Sequence, residues 1–253
     1  MSGAAFDLDG RVAIVTGGSR GIGRAIALGY AEAGAAVVVA SRSAEACQVV
    51  VDEIEATGGA ALAVSTHVGR PEELRSLVDR TVERFGRLDI LVNNAANPLG
   101  GPLRDMTPLA FEKAYATNVA GPVLLATAAL PHLEASPCAA IVNVVSVGAF
   151  KGGAHLGLYC STKAALANLT GVMAKEWGPL GIRVNALAPG PFETDMMAPT
   201  LGIPEFRAAI VESTIEKRIA DPSEIVGSAL LLVSDAGSYL QGSVLVVDGG
   251  TSA

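Results

Sequence analysis

Short apolar runs recur along the chain, and between them lie longer stretches in which apolar residues return every three or four positions. Arg11 to Thr16, Ala36 to Ser41, Leu88 to Val92, Ala139 to Val145 and Ile182 to Ala188 are runs of strand length, and their near-continuous apolar character is that of buried strands. The helical period shows at Arg24 to Ala33, Val119 to Leu133 and Leu156 to Met173. Strand-like and helix-like segments alternate from Arg11 to Val247 with no linker-like break in composition. That alternation predicts an α/β fold: one domain over residues 1–253, a doubly wound parallel sheet with helices on both faces.

Composition adds a second layer to this picture. Half of the 253 residues are hydrophobic and only 17% are charged, against a typical ~25% charged. More surface than usual must therefore be hidden from water, and association of copies is the simplest way to hide it. The apolar stretches Val119 to Leu133 and Leu156 to Met173 are the expected contacts. Neither reads as a membrane span, because Pro122, Pro131 and His132 interrupt the first and Lys163, Asn168 and Lys175 the second. The opening M-S-G-A-A-F-D-L-D-G lacks the basic segment and apolar core of a secretory signal, and T-S-A at the end is not a peroxisomal tripeptide. Cys47, Cys138 and Cys160 have no metal-ligand spacing and an odd count. Reduced thiols in a cytoplasm, with no metal, are expected. A net charge of −7 argues against a nucleic-acid partner.

The first strand runs into T16-G-G-S-R-G21-I-G23 and then the first helical pattern. Glycines at 17, 21 and 23 allow a tight turn and a close approach of a pyrophosphate to N–H groups at the helix N-terminus, so a Rossmann-type dinucleotide site is expected here. The second strand arrives about twenty residues later, where such folds read the adenosine ribose. An acid there would select NAD(H), but this chain has Ser41 and Arg42. Arg42, with Arg20 from inside the turn, can meet a 2′-phosphate, and the expected cofactor is NADP(H) rather than NAD(H).

Candidate chemistry lies in S146-V-G-A-F-K-G-G-A-H-L-G-L-Y159-C-S-T-K163. Ser146 ends an apolar run, so its hydroxyl should emerge at a strand's C-terminal edge. Tyr159 and Lys163 are four apart, one turn along the same helix face. A free phenol titrates near ~10, and a neighbouring ammonium is expected to lower that value. A tyrosine so poised can pass a proton to or from an alcohol or carbonyl oxygen.

These motifs resemble the short-chain dehydrogenase/reductase family, from about Leu8 to the C-terminus: T16-G-x-x-x-G-I-G23, N93-N94-A95-A96, Asn118 in A-T-N-V-A-G, Ser146 with Y159-x-x-x-K163, P189-G190-P191-F192-E-T194 and V246-V-D248-G-G250. The resemblance implies Tyr159 as proton donor or acceptor, Ser146 bonding the substrate oxygen, Lys163 tuning the tyrosine and holding the nicotinamide ribose, and Asn118 positioning a water in a proton relay. It implies cofactor contacts from Gly17, Ser19, Arg20, Gly21, Ile22, Gly23, Ser41, Arg42, Val68, Asn94, Ala95, Tyr159, Lys163, Pro189 and Gly190, with Phe192 and Thr194 holding the carboxamide. It also implies a homotetramer packed through the two apolar helices.

Some positions depart from the family pattern. His67 stands where many members have an Asp that contacts adenine, and it reads as a packed or solvent-facing ring. Ala96 replaces a common glycine. H67-V-G with N-A-A-N-P is similar to the carbonyl and retinal reductase branch, too short a signature to fix a substrate. Carrier-linked ketoacyl reductases present basic residues near the active-site entrance in the loops before the serine strand and before G-I-x-V-N, where this chain has Pro137, Cys138 and Leu180. Residues 195–217 are expected to cover the substrate, and M196-M-A-P-T-L-G-I-P is apolar. The reading that emerges is hydride transfer between NADP(H) and a carbonyl or secondary alcohol. A 3-ketoacyl thioester reductase and a non-catalytic nucleotide-binding regulator are the alternatives.

Overall fold

Each of the five apolar runs becomes a strand in the computed structural model, which describes residues 3–253, and two further strands, the third and the last in chain order, join them: β1 (Val12–Thr16), β2 (Ala36–Ser41), β3 (Ala61–Ser65), β4 (Ile90–Asn93), β5 (Ala140–Val144), β6 (Arg183–Pro189) and β7 (Val244–Val247). All pair in parallel in one sheet of order β3-β2-β1-β4-β5-β6-β7. The helices are α1 (Gly21–Glu32), α2 (Ala44–Ala56), α3 (Pro71–Phe85), α4 (Pro108–Tyr115), α5 (Gly121–Glu134), α6 (Gly157–Trp177), α7 (Ala198–Leu201), α8 (Pro204–Ser213) and α9 (Val226–Val233). Boundaries differ from the sequence reading by a few residues. α1 begins at Gly21 rather than Arg24, because the glycines belong to its first turn. α5 begins two residues later than expected, because Ala116–Ala120 form one wide turn that joins it to α4.

Every residue of β1, β4 and β5 is buried, as a parallel sheet covered on both faces requires. The alternation of side chains divides the core. Ala13, Val15, Val37, Val39 and Val92 face α1, α2 and α9, with Ile26, Ile54 and Leu232 packed on them. Ile14, Val38, Leu91 and Ile141 face α3, α5 and α6, meeting Leu77, Leu125, Leu133 and Met173. Both apolar helices of the sequence thus lie on one side of the sheet. They also keep apolar residues outward, with Leu124 and Val172 at 43% and 40% exposure.

Polar pins fix the strands' relative height. Asp89 is fully buried at the N-terminal edge of the sheet, where it accepts from Val12 N–H (2.8 Å) and from the Arg87 guanidinium (2.8 and 2.7 Å). Burial alone would raise its carboxyl, but the bonds from Arg87, Ser136 and Val12 outweigh that and hold it below the ordinary aspartate range. At mid-sheet, Asn93 donates to Asn143 (2.9 Å), which donates to Thr170 of α6 (2.9 Å), fastening that helix to β5.

Candidate active site

The strand order reverses between β1 and β4, which opens a crevice at their C-terminal ends, the place where doubly wound sheets receive ligands. The glycine turn sits there and is held by β4. Asn94 Nδ2 donates to the carbonyls of Thr16 (2.9 Å) and Gly17 (3.2 Å), while Thr16 Oγ1 accepts from the N–H groups of Asn94 (3.0 Å) and Ala95 (3.2 Å). Gly17 (φ 64°) and Gly21 (φ 53°) adopt left-handed backbone, and a Cβ on Gly23 would stand 2.3 Å from both Asn94 Nδ2 and the Gly17 carbonyl oxygen. Arg20, the N-cap of α1, makes no side-chain cap. The first-turn N–H groups of Gly21, Ile22 and Gly23, beside Ser19, suit a pyrophosphate. The chain therefore fits a dinucleotide at this turn.

At the end of β2, Ser41 Oγ lies 3.1 Å from Cys47 Sγ. Arg42 is exposed, and no acidic side chain pairs with it among the described residues. Arg20 is also exposed, its nearest acid being Asp195 at 4.0 Å. Both cations remain available to an anion. His67 is half-buried and accepts the Gly69 N–H at Nδ1 (3.1 Å), which commits that nitrogen to its own turn. The Val68 carbonyl packs against Gly121, where a Cβ would approach to 2.4 Å.

Ser146 follows β5 at the same edge, and Tyr159 and Lys163 lie on the first turns of α6. Lys163 is buried, and its Nζ donates to the Val144 carbonyl (2.7 Å). Burial brings its ammonium down to about 8. The lowered tyrosine pKa expected from the sequence is not found. Burial pushes the Tyr159 phenol up to about 12, with the Ser146 hydroxyl pulling it partly back and the neighbouring Cys160 adding to the rise. Lys163 Nζ stands 5.8 Å from the ring centroid, too far and too engaged with Val144 to reverse the desolvation. At neutral pH this is a protonated phenol, ready to give a proton.

Asn118 lies in the wide turn between α4 and α5 and is fully buried. Its Oδ1 accepts from Asn97 N–H (2.7 Å), and its Nδ2 donates to the Asn97 carbonyl (2.9 Å) and to Thr162 Oγ1 (3.0 Å). Thr162 in turn donates to the Tyr159 carbonyl (2.7 Å). The side chain of Asn118 is thus fully used in tying the loop after β4 to the tyrosine's helix, and any water it positions must use its backbone carbonyl. Thr16 and Thr162 are working residues that the sequence reading passed over. Their only signal was a hydroxyl amid apolar or helical neighbours.

Pro189, the last residue of β6, is buried, and Gly190 after it accommodates Asp248, whose Cβ would lie 2.5 Å from an added side chain. Phe192 is buried and bridges to Ala220. Thr194 approaches Gly21, where a Cβ would meet its methyl at 3.3 Å. This brings the segment after β6 over the glycine turn. Pro137, Cys138 and Leu180 are a correction. They precede β5 and β6 at the N-terminal edge, opposite Ser146 and Tyr159 in this chain, so they carry no argument about an acyl-carrier handle. Residues 195–217 contain α7 and α8, and α8 buries none of its residues.

Comparison with known proteins adds three relatives and a family. A family model described as enoyl-(acyl carrier protein) reductase matches residues 17–252. The chain is 38% identical to the 7α-hydroxysteroid dehydrogenase of Escherichia coli strain K12, over 96% of this chain and 94% of that one. A solved 7α-hydroxysteroid dehydrogenase, complexed with NADH and 7-oxo glycochenodeoxycholic acid, superposes with a TM-score of 0.96 at 36% identity, covering 99% and 97% of the two chains. A gluconate 5-dehydrogenase from Burkholderia cenocepacia J2315, in complex with NADP and tartrate, gives a TM-score of 0.95 at 33% identity over 100% and 99%.

Proposed function

The chain belongs to the short-chain dehydrogenase/reductase family, an NAD(P)-dependent enzyme acting on CH–OH or C=O groups, and we propose that it reduces a small carbonyl substrate with NADPH, Tyr159 supplying the proton. One observation carries this reading: Tyr159, kept protonated by burial, has the Ser146 hydroxyl against it and Lys163 one turn along, at the sheet edge that holds the glycine turn. A bound reduced nicotinamide supplies the hydride. Tyr159 gives its phenolic proton to the oxygen that becomes the alcohol, and Ser146 donates a hydrogen bond that holds that oxygen in place. Lys163 has three N–H donors. One is fixed on Val144, which leaves two for the nicotinamide ribose, and its charge stabilises the phenolate left behind.

Gly17, Ser19, Gly21, Ile22, Gly23, Asn94 and Ala95 bind the dinucleotide's centre, Pro189, Gly190, Phe192 and Thr194 its nicotinamide end, and Val68 its adenine. NADP(H) is favoured because Arg42 stands without an acidic partner among the described residues where an acid would select NAD(H), and Arg20, exposed and held only by Asp195 at 4.0 Å, can turn to the same anion; relatives of this fold are solved with either cofactor. Residues 195–217 close over the substrate. The outward Leu124 and Val172 of α5 and α6 support a homotetramer, and three free thiols suit a reducing cytoplasm. Tyr159→Phe tests the core of the proposal. It should bind NADPH nearly as well as wild type, by nucleotide fluorescence, and lose at least ~10²-fold in turnover; near wild-type turnover would remove Tyr159 from the chemistry.

A further inference from the structure

Two exposed leucines stand beside the proposed proton donor. Leu103, on the loop after β4, is 63% exposed, and Leu156, the N-cap of α6, is 45% exposed. Leu156, Tyr159 and Lys163 fall at i, i+3 and i+7, one helix face, so Leu156 lies a turn outward from the phenol. Glycine keeps the seat of Leu103 open, and two further glycines lie within ordinary contact range of Leu156. A Cβ on Gly157 would meet Leu103 Cδ2 at 2.9 Å, and Cβ atoms on Gly100 and Gly153 would each come to 3.6 Å from a Leu156 methyl. The two loops are joined by Gly101 N–H, which donates to the His155 carbonyl at 2.6 Å. His155 holds a left-handed backbone there (φ 65°).

We propose that Leu103 and Leu156 form an apolar shelf that receives the hydrocarbon skeleton next to the reacting carbonyl. The preferred substrate is then a ketone, or the matching secondary alcohol, with apolar carbons flanking the reacting one. This rests on the redox reading above. A polyol acid would set hydroxyl groups against the two leucines, and a ketoacyl thioester would run its amides past them. Each would strip polar groups of water with no partner in return.

Initial rates with NADPH on trans-2-decalone, 5-ketogluconate and acetoacetyl-coenzyme A test the shelf. Decalone should have the highest kcat/KM by about tenfold or more. Leu103→Asn and Leu156→Asn should each raise its KM about tenfold, the equivalent of ~1.4 kcal/mol of lost apolar contact, with kcat within about threefold. Leu156→Met, which keeps volume and apolarity, should stay near wild type. A higher kcat/KM for either polar compound, or an unchanged decalone KM in both Asn variants, overturns the shelf and leaves the redox reading standing. So does a loss of oligomer mass in those variants by light scattering with the decalone KM unchanged, which would put the leucines between copies. No turnover of any of the three with NADPH or NADH, while NADPH still binds, overturns the redox reading and the shelf with it.

Discussion

Gly23→Ala should cost the protein both stability and its hold on the dinucleotide. The new methyl carbon would stand 2.3 Å from Asn94 Nδ2 and 2.3 Å from the Gly17 carbonyl oxygen, whereas non-bonded heavy atoms settle near ~3.5 Å. The turn or the Asn94 amide must therefore move by about 1 Å. Overpacking of this kind costs about 1–3 kcal/mol, and the amide's bonds to Thr16 and Gly17 (2.9 and 3.2 Å) are worth about 1 kcal/mol each. Alanine recovers up to ~1 kcal/mol of helix propensity, so the net loss is about 2–5 kcal/mol. At ~2–4 °C per kcal/mol for a chain of this size, the melting temperature should fall by at least a few degrees. Because the displaced atoms form the pyrophosphate cradle, the Kd for NADPH should rise about tenfold or more by fluorescence titration. In an Asn94→Ala background one of the two obstacles is gone, and the cost of Gly23→Ala should be smaller than in wild type, as coupled neighbours require. A variant that melts at or above the wild-type temperature and binds NADPH equally well would refute the reasoning.

Three further outcomes follow from the same geometry. Arg42→Leu should raise the KM for NADPH about 10- to 150-fold, the loss of a charge-assisted bond of roughly 1.5–3 kcal/mol, and adding Ser41→Asp should turn the preference to NADH; an unchanged NADPH KM in Arg42→Leu would move selectivity away from Arg42. Burial sets Lys163 near about 8 while Tyr159 stays protonated to about 12, so the free enzyme keeps its ammonium below about 8 and loses it above. The kcat/KM for carbonyl reduction should accordingly be level near pH 7 and fall as pH rises through about 8, and a profile that rises there would refute a role for the charged lysine. Light scattering at micromolar concentration should give a tetramer, and a fully active monomer would leave the outward apolar faces of α5 and α6 without their proposed cover.

Periodicity along the chain was enough to mark the central strands and the apolar helices, because a strand buried on both faces must be apolar throughout, whatever its neighbours are. The glycine turn, Ser41 with Arg42, and the spacing of Tyr159 and Lys163 were legible for a similar reason: each is a local pattern a few residues long. What lay beyond the sequence depended on which strands become neighbours. The clasp of Thr16 on Asn94, the clamp of Asn118 on Asn97 and Thr162, and the anchoring of Lys163 on Val144 join residues far apart in the chain. The shared direction of β5 and β6 sets Pro137, Cys138 and Leu180, which precede them, at the edge opposite Ser146. The Tyr159 phenol shows the same division. Spacing placed an ammonium one turn away and so favoured a lowered pKa, but the surrounding protein removes water from the ring, and desolvation outweighs the lysine. Local sequence fixes which groups can meet, whereas burial and the distances between non-local neighbours, which only the packed fold sets, decide their charge and bonding.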